Sequence, residues 1–134
     1  MSIQYYVIDT ETTGTGNQHE IVEISIIRCS DKVQMTRFIK ADFPERASLD
    51  ALAITGKTIE DLRNGIPKEE AVAQIEEFFN LDNSSPECRC IVAHNASFDQ
   101  RFLHNLWDRC GKKFPANMFL DTMQLTRIAA KSKV

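Results

Sequence analysis

Two carboxylates, Asp9 and Glu11, stand two residues apart directly behind Tyr5, Tyr6, Val7 and Ile8, a β-branched and aromatic run suited to a strand. Side chains alternate across a strand, so both acids leave by one face, with their backbones about 7 Å apart. They can converge on one cation. Two acids at the end of an apolar strand are costly to desolvate unless something positive sits between them, and hard oxygen ligands suit Mg²⁺ or Mn²⁺. Thr12, Thr13 and Gly14 follow, the glycine allowing a sharp turn or the close approach of a backbone or ligand. The same residues also suit a solvated strand end with a Thr/Gly turn, and the acid-x-acid spacing alone does not separate the two readings.

At 134 residues the chain is expected to be one domain with a single core. A hydrophobic share of 43% against 26% charged is globular rather than disordered. No apolar run approaches the length of a membrane span and no basic-then-apolar leader opens the chain, so a cytoplasmic protein with no membrane partner is expected. Cys29, Cys88, Cys90 and Cys110 show neither zinc spacing nor a C-x-x-C pair, which leaves reduced, structural thiols. A net charge of −3 argues against clamping a long duplex through phosphate neutralisation alone. A nucleic-acid role then needs a local site where metal offsets the acids.

Residues 20–29 are rich in isoleucine and valine and read as a central buried strand; residues 32–40 return as a more polar strand nearer an edge. Residues 41–56 read as a loop with a turn of helix at 49–53. Thr58 is placed to cap a short helix over 59–63, and Pro67 to start a longer one with Glu69 and Glu70 in its first turn. Ala71, Val72, Ile75, Phe78 and Phe79 form that helix's single apolar face. A buried parallel strand at 90–93 is followed by a helix whose face runs through Phe98, Phe102, Leu103, Leu106, Trp107 and Cys110 to a stop at Gly111. Asp99 falls in its first turn, where the helix dipole alone would favour an acid. A strand at 118–120, a cap at Asp121 and Thr122, and an amphipathic helix close the sequence. The order β-β-β-α-β-α-β-α gives an α/β domain. Right-handed crossovers place the strand at 90–93 beside the first and bring Asp99 toward Asp9 and Glu11, three acids facing one cleft.

On these residues the chain resembles the DEDD 3′→5′ exonuclease superfamily, in the DEDDh-like branch containing the proofreading epsilon subunit of DNA polymerase III and ribonuclease T. Asp9 to Gly14 match D-x-E-T-T-G, and His94 to Asp99 match H-N-A-x-F-D. Ile21 to Ile24 match an I-x-E-I block, Thr55 to Thr58 echo a T-G-I-T segment, and Asp121 with Thr122 match a D-T block. The resemblance implies a ribonuclease H-like fold, a mixed five-stranded sheet with helices on both faces. It also implies a divalent-metal exonuclease working on the 3′ end of single-stranded DNA or RNA, and an association with a polymerase or other replication or repair protein. Asp9, Glu11 and Asp99 would be the catalytic metal ligands for Mg²⁺ or Mn²⁺ in a two-ion site, with Asp9 shared and Glu11 also orienting the attacking water. Thr12, Thr13, Gly14, Thr15 and Phe98 would meet the terminal nucleotide. Phe98 also suits the core, His94 a hydrogen-bonded strand end, Asp121 a cap, and Glu23 a polar place beside the sheet.

Relatives carry a third motif with a general-base His or Tyr and a fourth metal-binding Asp. No His, Tyr, Asp or Glu follows Asp121 here, so the 134 residues are expected to be the N-terminal portion of an exonuclease domain, its C-terminal part missing, with weak activity or none. Thr15 stands where relatives have a Leu, and Lys57 where they have an apolar residue. The alternative is a catalytically silent module of the same fold that binds nucleic acid or docks a partner. A ribonuclease H-type endonuclease is a third reading, which the residues from His94 to Asp99 oppose.

Overall fold

A computed structural model describes residues 2–132. Its strands are β1 (Gln4–Thr12), β2 (Ile21–Arg28), β3 (Gln34–Phe38), β4 (Arg89–Ala93) and β5 (Met118–Asp121). Its helices are α1 (Leu49–Thr55), α2 (Ile59–Arg63), α3 (Lys68–Asn80), α4 (Ala96–Arg109) and α5 (Thr122–Ser132). The five strands form one mixed sheet in the order β3-β2-β1-β4-β5. β1, β2 and β3 pair antiparallel, and β4 and β5 add parallel to β1. The expected neighbour of the first strand and the polar edge strand are both in place.

Alternation along the strands builds the core. Tyr6 and Ile8 of β1, Ile24 and Ile26 of β2 and Ile91 of β4 share one face, and α3 and α4 close over it. All five apolar positions expected on α3 are buried, and so are Phe102, Leu103, Leu106 and Trp107 of α4. Gly111, at φ +72°, ends α4 in the left-handed region that glycine adopts without strain. Thr58 caps α2 in a reciprocal box with Asp61. Pro67 lies one residue earlier than expected, as the cap of α3 rather than its first helical residue. The loop at 41–56 holds more structure than expected: Pro44–Arg46 form a 3-10 turn, and α1 runs a full seven residues because Ser48 accepts from the Ala51 amide.

The opposite face of the sheet is far less covered. Tyr5 and Val7 are 45% and 38% exposed there, and Leu125 and Ile128 of α5 remain open to solvent. The deeper cover among the described residues is the α3 and α4 side, within a mixed five-stranded sheet flanked by helices as the resemblance implies. A separate brace closes the sheet end away from Glu11. Arg89, 1% exposed, bonds Asp82 through Nε and Nη2, and Tyr6 donates its hydroxyl to the same carboxylate at 2.6 Å. All four cysteines are free. No helix among the described residues is long and apolar enough to cross a membrane.

Candidate active site

β1 continues through Thr12, so Asp9 and Glu11 sit within the strand rather than past its end. They point to the open face, opposite Ser25 and Glu23 of β2. The pairing register shifts between Glu11 and Thr12, a bulge of the kind that re-aims side chains beside functional sites. Thr10 alternates with the two acids and points to the helix-covered face. There its hydroxyl donates to Asp99 Oδ1 at 2.7 Å, joining the first motif to the second.

Asp99 is buried, at 6% exposure. Burial pushes its carboxyl above the usual range; the Thr10 bond works against that shift, and the nearby Asp9 and Asp121 charges add to it. Glu11 is also raised, first by burial and then by Asp9 and Glu23, with Lys57 partly compensating. The donor set is all hard carboxylate oxygen with an excess of negative charge, which fits a divalent cation of the Mg²⁺ type. Among the described residues, however, no three His, Cys, Asp or Glu side chains already converge as an ion would need. Asp99 reaches β1 through Thr10, the residue that alternates with Asp9 and Glu11, and lies near enough to Asp9 for that charge to act on it.

The residues expected to meet a nucleotide divide into two sets. Thr12, Gly14, Thr15 and Phe98 line a cleft of about 370 Å³ with Glu11, closed on its far side by α1 through Ser48, Ala51 and Thr55. Thr13 turns away from the cleft and is buried. Its hydroxyl meets His19 Nδ1 at 3.1 Å and accepts from the Glu20 amide, while its own amide donates to the Glu20 carbonyl. Its carbonyl in turn accepts from the Ser48 amide at 2.8 Å, which sets α1 against the cleft. Thr13 thus clasps the loop, and Gly14 has a packing role: its φ is not positive, and an added Cβ would collide with the His19 ring. No sharp left-handed turn occurs there.

Arg101 of α4 braces the loop that carries Thr15. Its guanidinium donates to the Thr15 carbonyl at 2.5 Å and to Asn17 Oδ1 at 2.9 Å, lying 4.9 Å from the Phe102 ring centroid. His19, Arg101 and Thr10 were not signalled by the sequence, because each acts through a partner that only folding brings near. His94 bonds the Thr122 hydroxyl, a side-chain partner in place of the expected backbone one. Asp121 accepts from the Met123 and Asn95 amides and so caps α5 while bracing the start of α4, as its capping role anticipates. Asn95 holds φ +75°, which its short amide side chain tolerates.

Comparison with known proteins identifies the family and the fold. The profile of the exonuclease family RNase_T matches residues 6–133. The PolC-type DNA polymerase III of Staphylococcus haemolyticus (strain JCSC1435) is 30% identical over 125 residues, covering 92% of this chain, and that of Staphylococcus aureus is similar to the same extent. The chain spans only 8% of those polymerases' length. Among solved structures, product-bound exonuclease I superposes with a TM-score of 0.77 at 20% identity over 95% of this chain and 31% of that one. Escherichia coli exonuclease I in complex with a dT13 oligonucleotide gives 0.79 at 20% identity, over 96% of this chain and 30% of that one. A mixed five-stranded sheet of ribonuclease H type, the two acid motifs brought to one strand, and a family match along almost the whole sequence lead to one assignment: this chain belongs to the RNase_T exonuclease family of the DEDD superfamily.

Proposed function

We propose that the domain removes nucleotides one at a time from the 3′ end of single-stranded DNA or RNA, in a reaction that depends on Mg²⁺ or Mn²⁺. The observation that carries the reading is the Thr10–Asp99 bond, which ties the second motif's acid to the strand bearing Asp9 and Glu11, beside a cleft of nucleotide size. Asp9, Glu11 and Asp99 would hold the ions, whose chemistry is to activate water and to offset charge on the leaving 3′ oxygen. The chain's own residues do the rest. Glu11 would also orient the attacking water, a role its position on the border of the cleft supports. Thr12, Gly14, Thr15 and Phe98 form the wall a terminal nucleotide would rest on, and Thr13, His19 and Arg101 hold that wall in shape.

With no His, Tyr, Asp or Glu after Asp121 to act as general base or fourth ligand, the 134 residues by themselves should be weak or inactive. The match to PolC-type DNA polymerase III supports a setting beside a polymerase. A second reading, a silent module that binds single-stranded nucleic acid or a partner, is favoured by the absence of a converged ion cluster among the described residues. A 5′-labelled single-stranded oligonucleotide incubated with the chain and Mn²⁺ separates the two. A one-nucleotide ladder that Asp9→Ala abolishes supports the exonuclease; binding without shortening supports the silent module.

A further inference from the structure

Glu11 and Glu23 are cross-strand partners on the open face of the sheet. Like charges directly opposite in an antiparallel pair repel, and nothing within the two strands relieves this. Relief comes from outside the sheet. Lys57, in the turn between α1 and α2, places Nζ 2.9 Å from Glu23 Oε1, with the two side chains 17% and 25% exposed. The same ammonium lies 4.6 Å from the ring centroid of Phe38, which pairs with Glu23 from the edge strand. An aromatic face and a carboxylate thus hold the charge in one place.

The consequence concerns the neighbouring acids. A lysine held this way is a standing positive charge at the Glu11 end of a row that runs on to Asp9. A divalent ion taken by Asp9 and Glu11 would meet that charge at short range and would share with it the field of the same carboxylates. An apolar residue at position 57 would leave the Glu11–Glu23 repulsion for the ion alone to relieve, and so would favour ion binding.

We propose that Lys57 is the resident counter-charge of the site, a positioning residue that neutralises the Glu11–Glu23 pair without metal and thereby lowers the affinity of Asp9 and Glu11 for divalent cations. The inference rests on the reading of Asp9 and Glu11 as ion ligands. It makes ion uptake a competition with an internal cation, so that affinity is set from a residue that need not touch the ion.

Calorimetric titration of the 134-residue chain with Mn²⁺ tests it, using wild type, Lys57→Met, Lys57→Arg and Asp9→Asn, each checked for folding by circular dichroism. Lys57→Met should bind Mn²⁺ about tenfold more tightly, the effect of removing one unit charge from the neighbourhood of a divalent ion in a partly solvated site. Lys57→Arg keeps the charge and should stay within about twofold of wild type. Asp9→Asn, alone or combined with Lys57→Met, should abolish binding. Asp9-dependent binding that Lys57→Met leaves unchanged or weakens would overturn the inference while leaving the ion site standing. Absence of Asp9-dependent binding in every variant would overturn the ion site and the inference with it. Should Lys57→Met not fold, Glu23→Gln serves instead: it removes one acid and leaves Lys57 uncompensated, so Mn²⁺ should bind several-fold more weakly, and an unchanged affinity counts against the proposal.

Discussion

Thr10 donates its hydroxyl to the carboxylate of Asp99, 89 positions further along the chain, at 2.7 Å. The bond fixes the first turn of α4 against β1 between the two acids of the strand. It also gives a buried carboxylate one strong donor but no positive partner, so the cost of burying its charge is only partly offset.

That charge should show in stability. Asp99 and Glu11 both titrate above the usual carboxylate range, with burial the leading cause in each. For a group raised in the folded state, the stabilising contribution is complete below its unfolded pKa, about 4, and is lost as pH rises through the folded value. At neutral pH without metal, each acid therefore costs stability. Asp99→Asn, whose amide oxygen can still accept from Thr10, should raise the melting temperature of the metal-free chain by roughly 2–4 °C at pH 7. Near pH 3 the gain should vanish, and excess Mn²⁺ at pH 7 should reduce it. Thermal melts at the two pH values check this, and a lower melting temperature at pH 7 would refute it.

The Arg89–Asp82 pair behaves in the opposite sense. Burial works to raise the Asp82 carboxyl, but the bonds from Arg89, Tyr6 and Ser84 outweigh it and hold it well below the usual range. Its contribution is present above the unfolded pKa and is lost as pH falls through the folded one, so acid unfolding should extend below pH about 4. Arg89→Met would leave the Asp82 carboxylate buried at the end of the sheet without its cation and should cost about 3–5 kcal/mol in urea unfolding at pH 7. A loss under about 1 kcal/mol would mean that Tyr6 and Ser84 suffice.

Burial of the Tyr6 phenol, followed by its bond to Asp82, pushes its pKa up to about 12. Because the unfolded tyrosine ionises near 10, stability should hold up to about pH 10 and decline from there toward pH 12. Tyr6→Phe should flatten that alkaline decline in pH-dependent melts, at the cost of a weaker brace at neutral pH.

Gly14 and His19 form a testable steric pair. Gly14→Ala sets a methyl against the imidazole and should destabilise the chain by about 1–3 kcal/mol, with weaker oligonucleotide binding as the loop at 13–19 shifts. His19→Ala opens room for that methyl at the expense of the Thr13 contact. The double variant should then be more stable than the sum of the single changes allows, and strict additivity in chemical denaturation would show that the two residues do not touch.

Much of the architecture is legible locally. The apolar face of α3, the stop at Gly111, the Thr58 cap and the neighbour of the first strand all follow from periodicity or from single-residue conformational preference, which act within one turn or one strand. Residues 41–56 are harder, since α1 owes its full length to a cap at Ser48 and to the clasp between Ser48 and Thr13, a contact across 35 positions that no local pattern announces.

The candidate site divides the same way. By itself the sequence determined the acids and their order: spacing of two on a strand sends Asp9 and Glu11 to one face, and the position of Asp99 behind β4 puts it in the first turn of a helix. Only the tertiary structure decided that Asp99 meets Thr10, that Thr13 serves the loop and not the cleft, and that Lys57 stands over Glu23. Periodicity depends on the nearest few residues, whereas these contacts join strands, turns and helices that come within reach only after the sheet has closed its order and the hydrophobic core has drawn α3 and α4 onto it.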